Sequence, residues 1–303
     1  MMRKREVKTP PEAERPRRLH GMRLALALAA GLALALALRL GLARAFQALF
    51  RAWNLSAATL GRAPGWARAL YAWHGSLITL AVDAAVIGLS VALARRWALP
   101  WPEGRASRAA AAAAALTGAG AALLSAALFL ATDSLRLEWP LAQPRLSPGL
   151  AALALLSLLT AVAEEWFGKR VVYALAHAAW GPVPAAIAAT AVFFLANGGC
   201  AGNLWCALNV LLMGLLCCRV FRLRGFMAAA ALRWGWSFTA VFLLGQGGGG
   251  RAVYRLYGVS EVWLTGGDAG FVYGAWLALL LAAALLAPAV PGMRARLKRG
   301  RAR

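Results

Sequence analysis

The chain has 303 residues, 33 Lys and Arg against 11 Asp and Glu, a formal net charge of +22, and 61% hydrophobic residues at a mean hydropathy of +0.63. A soluble protein does not combine that hydrophobicity with that charge, because polar surface must cover its core, and a nucleic-acid binder spreads its cations among aromatics on a polar face. Here the cations stand in short clusters between long uncharged runs, the pattern of an all-α polytopic membrane protein. The four cysteines, Cys200, Cys206, Cys217 and Cys218, lie in or beside apolar runs and suggest no disulfide framework.

Residues 1–20 are polar and basic without an apolar period and read as a disordered tail. The first apolar run, Leu24 to Leu38, alternates Leu and Ala, both strong helix formers. Fifteen residues of helix span about 22 Å, short for a core of about 30 Å, so the helix is expected to continue through Leu40–Phe50. Ala43-Arg44-Ala45 has the small-x-small form of a signal-peptide cleavage site, but the long polar region before it and Arg39 argue for a retained span. Further runs follow at about 69–94, 109–132, 149–179, 182–199, 203–220, 226–245 and 271–290, giving eight transmembrane helices with prolines between them. The glycine run 247–250 lacks the Lys-Ser/Thr of a phosphate loop and reads as a connector. The domain reading is a tail at 1–20, three helices and their loops at 21–148, a five-helix region at 149–290, and a second basic tail at 291–303.

An even number of spans puts both termini on one side. With that side cytoplasmic, the internal segments carry 21 Lys and Arg and the external ones 9, leaving out the three cations inside spans. Five of the nine fall in 39–68 and dilute the asymmetry. Ionisable residues inside spans cost about 2.5–3.5 kcal/mol each at a helix centre and carry the functional information. His74 near a span end reads as interfacial, and Asp83 lies deeper. The fourth span is exceptional, with Glu164, Glu165, Lys169 and Arg170 at its middle. Glu165 and Lys169 stand i, i+4 and can neutralise one another, whereas Glu164 points about 100° away and needs another partner. Phe193 and Asn197 share a face of the fifth span, and Arg233 and Ser237 share a face of the seventh. Helix rise puts Glu164 about 22 Å and Ser237 about 16 Å along their spans, so the three helices can meet near mid-membrane.

These residues resemble the CPBP intramembrane proteases, the CAAX proteases and bacteriocin-processing enzymes. That family carries Glu-Glu-x-x-x-Arg, then Phe-x-x-x-His, then His-x-x-x-Asn or Asp, on a layout that fits residues 150–290. Leu208-Asn209-Val210, Gly214, Trp236-Ser237-Phe238 and Trp263-Leu264-Thr265-Gly266-Gly267 add to the likeness and point to a bacterial branch. The resemblance implies that Glu164 stands where the family activates water, with histidines and Asn holding a metal or an oxyanion. The departures are as informative: Lys169 stands for Arg, Asn197 for the first His, Arg233 for the second His and Ser237 for Asn. Arginine has no lone pair to offer a metal and Asn is a poor substitute for imidazole. Zinc held by the usual histidines, the family's metal, is therefore not expected. His177, thirteen residues beyond Glu164, does not restore the site. Arg233 beside Glu164 is expected to form an interhelical ion pair that occupies the carboxylate.

Three functions fit this reading: a catalytically silent or altered member that binds a membrane partner, with an immunity-like or chaperone-like role; an active intramembrane endopeptidase with Glu164 as base and Arg233 and Asn197 as donors to an oxyanion; and a transporter or lipid-handling protein. The expected partners are membrane lipids and a membrane protein or peptide, without nucleic acid, and the resemblance places the chain in a bacterial inner membrane. Seven of the thirteen tryptophans fall near span ends, as an aromatic belt does. Cys217-Cys218 reads as apolar packing, and Asn54-Leu55-Ser56 as a weak glycosylation sequon.

Overall fold

The computed structural model describes residues 14–56, 59–99, 107–138, 148–196, 204–244, 255–258 and 274–286. Nine α-helices are described: α1 (Glu14–Ala52), α2 (Gly65–Arg96), α3 (Arg108–Ala131), α4 (Pro148–Glu165), α5 (Ala174–Trp180), α6 (Pro182–Ala196), α7 (Leu204–Arg224), α8 (Phe226–Ser237) and α9 (Ala275–Leu286). A π-helix, Trp166–Tyr173, joins α4 to α5 into one span, and a second, Phe238–Leu243, continues α8. The eight spans read from the sequence are all present. Six are long and apolar enough to cross a membrane, and two, Pro182–Ala196 and Ala275–Leu286, are shorter within the described residues. The chain is an all-α polytopic membrane protein.

Local signals account for the breaks. Ser107 caps α3, its hydroxyl accepting from the Ala110 amide at 3.1 Å. Pro148 and Pro182 occupy first helical positions, where a missing N–H costs nothing. Gly181 and Gly225 turn the chain between α5 and α6 and between α7 and α8 with φ of 92° and 84°, a conformation that a side chain would strain.

Two expectations are corrected. The basic tail is helical from Glu14 onward, so α1 runs for 39 residues, about 58 Å, and extends well past a hydrocarbon core. At its far end the expected continuation through Leu40–Phe50 is present and reaches Ala52, taking up about half of 39–68, the segment counted as the first external loop. Cys206 is in a disulfide, whereas Cys217 and Cys218 are thiols packed in the interior of α7; apolar surroundings alone gave no signal of the bond. The glycine run 247–250, Cys200 and the tail 291–303 lie outside the described residues.

The chain divides into two compact units, with one division between α2 and α3, one inside the fourth span and one inside α6. The first comprises Met1–Trp101 and Phe167–Ala188. In it α1 packs on α2 and α5. Gly31 of α1 abuts the Phe167 ring so closely that a Cβ there would lie 2.6 Å from it. Phe46 and Phe50 of α1 meet Tyr71 and His74 of α2, with His74 Nδ1 donating to the Tyr71 carbonyl at 2.6 Å. Asp83 is buried in α2.

The second unit comprises Pro102–Trp166 and Ala189–Arg303. Its core contains Ala122 and Phe129 of α3, Phe193 of α6, Val210 and Met213 of α7, Leu232 and Trp236 of α8, and Leu277 and Leu281 of α9. The segments read as external loops after α3 and α8 pair as a two-stranded antiparallel ribbon, β1 (Leu135–Glu138) with β2 (Arg255–Gly258), Leu135 opposite Gly258. Pairing requires both loops on one side of the membrane, as the charge count has them.

Candidate functional site

The polar centre of the second unit is built by α4 and α8. Glu164 lies in the last turn of α4, and Arg233 one turn before the end of α8. The Arg233 guanidinium donates to Glu164 Oε2 through Nη2 at 3.2 Å and through Nε at 3.3 Å. The two side chains are 11% and 18% exposed, so the pair is largely removed from solvent. Arg233 Nη1 donates to Ser237 Oγ, one turn along the same helix. The guanidinium also lies over the Phe193 ring of α6, 4.8 Å from its centroid, within cation–π range. One cation is thus held by a carboxylate, a hydroxyl and an aromatic face from three helices. The interhelical pair expected from the sequence is formed.

Two packing features fix the height of α8 against its neighbours. Gly118 of α3 faces the Leu232 carbonyl and Gly235 of α8 faces the Ala115 carbonyl; added Cβ atoms would lie 2.1 and 2.0 Å from those oxygens. Such small-residue contacts let helix backbones approach in a membrane. On the α4 side, the Trp234 indole N–H donates to the Ala154 carbonyl at 3.0 Å. Both helices turn from α to π immediately beyond the site, after Glu165 and after Ser237, a distortion that recurs at functional positions.

The remaining motif residues are placed differently. Glu165 and Lys169 are almost fully buried, at 1% and 2% exposure, and Arg170 is buried at 8%. The π-helix Trp166–Tyr173 begins between Glu165 and Lys169. Lys169 and Arg170 belong to the first unit, while Glu164, Glu165, Arg233 and Ser237 belong to the second. Asn197 lies outside the described residues. His177 is exposed and stacks on Tyr173. Sequence reasoning missed the Trp234 strut, the two π-helices and the glycine contacts. For the last, the spacing of Ala115, Gly118 and Ala122 along α3 held a readable signal.

The chemistry of this donor set is restricted. Among the described residues the partner of the Ser237 hydroxyl is a guanidinium, not a base that would activate it as a nucleophile. A zinc ion does not fit beside Arg233, which offers positive charge and no lone pair. Among the described residues no group of three His, Cys, Asp or Glu side chains could hold a metal ion.

Fold and site together define a multi-pass, all-α membrane protein with a buried interhelical ion pair. No protein-family model, curated protein or solved structure matches the chain.

Proposed function

We propose that this chain is a catalytically silent member of the CPBP intramembrane protease family that keeps the helical scaffold and uses it to bind a membrane partner, in an immunity-like or chaperone-like role at a bacterial inner membrane. The observation that carries this reading is the Arg233–Glu164 pair. At the place where the resemblance puts a water-activating carboxylate, Oε2 already accepts two guanidinium N–H bonds. A general base needs its carboxylate available to the proton it removes, and a water there competes with a charge-assisted pair. The resembled enzymes draw on imidazole at this point; here the cation can neither accept a proton nor ligate a metal.

The test is a protease assay on the purified protein, with a prenylated CAAX-type peptide and a bacteriocin-type leader peptide as substrates. The wild type is expected to be inactive, and the triple variant Arg233→His, Asn197→His, Ser237→Asn to gain zinc-dependent cleavage. Wild-type cleavage abolished by Glu164→Ala overturns the silent reading in favour of the endopeptidase. Silence of both proteins, each folded, leaves the family assignment without its principal support.

A further inference from the structure

In the first unit three helix ends converge at one level. The start of the apolar part of α1 meets the end of α2, where the Arg23 guanidinium lies over the Trp97 ring at 6.0 Å. It also meets the end of α5, where the site of a Cβ on Gly21 is 3.5 Å from the Trp180 indole. The charge asymmetry assigns all three ends to the cytoplasmic side. Arg95 and Arg96 close the last turn of α2 and are exposed, and Trp180 is 54% exposed. Residues 19–27, 92–99 and 174–180, which make up these ends, contain no Asp or Glu. Arg23, over Trp97, thus lies at the helix end that carries Arg95 and Arg96, and none of these segments contains an acidic side chain.

We propose that this corner binds the phosphate of an anionic phospholipid in the cytoplasmic leaflet, through Arg23, Arg95 and Arg96, with Trp97 and Trp180 setting its depth. Indoles sit at headgroup level in a bilayer, so the arginines beside them are held where lipid phosphates lie. A guanidinium presents paired N–H donors that match two phosphate oxygens. Stacking on Trp97 limits the conformations of Arg23 and lowers the ordering cost of binding. The excess cations on this side also draw anionic lipid to the surface. A zwitterionic lipid carries its own ammonium group, which meets the arginines with like charge. The preference for anionic lipid follows from that repulsion as much as from the phosphate contacts.

The experiment is native mass spectrometry of the full-length protein in nonionic detergent, titrated with phosphatidylglycerol or with phosphatidylcholine of the same acyl chains. Phosphatidylglycerol is expected to bind roughly tenfold more tightly. Each arginine removed should weaken it about fivefold, the equivalent of the ~1 kcal/mol that a basic residue contributes at an anionic surface. Arg23→Gln thus costs about fivefold and the exposed pair Arg95→Gln/Arg96→Gln about 25-fold. Arg222→Gln/Arg224→Gln, a pair at the end of α7 in the other unit, should change affinity less than about twofold. Melting temperatures confirm folding, and Arg23→Lys retains part of the affinity if Arg23→Gln unfolds. No preference for phosphatidylglycerol, or equal losses from the two double variants, overturns the proposal. So does displacement of the lipid by glycerol 3-phosphate, which would identify a site for soluble phosphates.

Discussion

Replacing Gly235 with alanine tests the packing that holds Arg233 in place. The added Cβ would lie 2.0 Å from the Ala115 oxygen, 2.8 Å from its carbonyl carbon and 3.0 Å from its Cα, against 3.4 Å for an ordinary contact. All three atoms are backbone, so no side chain can swing aside, and relief requires α3 and α8 to part by about 1 Å. A gap of 0.5–1 Å forfeits a quarter to a half of the dispersion well for each atom pair along a contact. Leu232 and Trp236, which flank Gly235 and are buried at 2% and 4%, would lose that share of their packing on α3. The expected cost is about 1–3 kcal/mol, the range for overpacked cores, less the roughly 1 kcal/mol by which Ala favours a helix over Gly. Gly118→Ala should behave alike, since its Cβ would meet the Leu232 oxygen at 2.1 Å and the Trp236 amide nitrogen at 2.8 Å. Gly120, two residues away on α3, has nothing within 4 Å of its Cβ position. Gly120→Ala should be neutral or stabilising by up to about 1 kcal/mol. Thermal unfolding in detergent micelles reads all three, and the opposite signs at Gly118 and Gly120 make the comparison internal. If Gly235→Ala and Gly118→Ala melt no lower than Gly120→Ala, the close approach of α3 and α8 is not the constraint described.

Arg233→Ala, which leaves Glu164 largely buried without its cation, should destabilise by about 3–5 kcal/mol, while Glu164→Leu/Arg233→Met should be near neutral; a denaturant-unfolding cycle gives both, and a double variant as unstable as the single one refutes the pair's role. Trp234→Phe removes the donor to Ala154 and should cost about 0.6–1 kcal/mol by the same measurement. Because Cys206 is in a disulfide and Cys217 and Cys218 are thiols, maleimide–polyethylene glycol applied to denatured protein should shift two of the four cysteines without reductant and four after reduction. Four before reduction would show that no disulfide forms.

The helical spans were legible because each depends on a local property, a run of apolar helix formers ended by proline, glycine or charge. The Arg233–Glu164 pair was legible for a different reason. Two opposite charges in separate apolar spans at matching depths have few lower-energy alternatives to meeting one another. What escaped were features decided by three-dimensional approach. The π-helix after Glu165 is a backbone choice that no residue in Trp166–Tyr173 announces. The ribbon of β1 and β2 joins segments more than a hundred residues apart, each only four residues long, too short for alternation to stand out. The continuation of helix back to Glu14 was missed because charge density was read as disorder, although Arg and Glu are good helix formers.

The satisfaction of Arg233 explains why a change at this position is not a single-residue event. A guanidinium in a low-dielectric interior must find acceptors for its N–H groups or cover for its faces. Glu164 supplies one oxygen to two of those groups, Ser237 accepts a third, and Phe193 covers a face. These partners come from α4, α8 and α6, so the cation fastens three helices together. Replacing Arg233 with histidine would leave Glu164 with a partner of smaller reach and Phe193 facing a gap. Stability would fall. Residues 233 and 237 therefore work as a coupled pair, in which the cation takes a small acceptor one turn away. The carboxylate at 164 then has a use that does not depend on water: it keeps the arginine in the membrane.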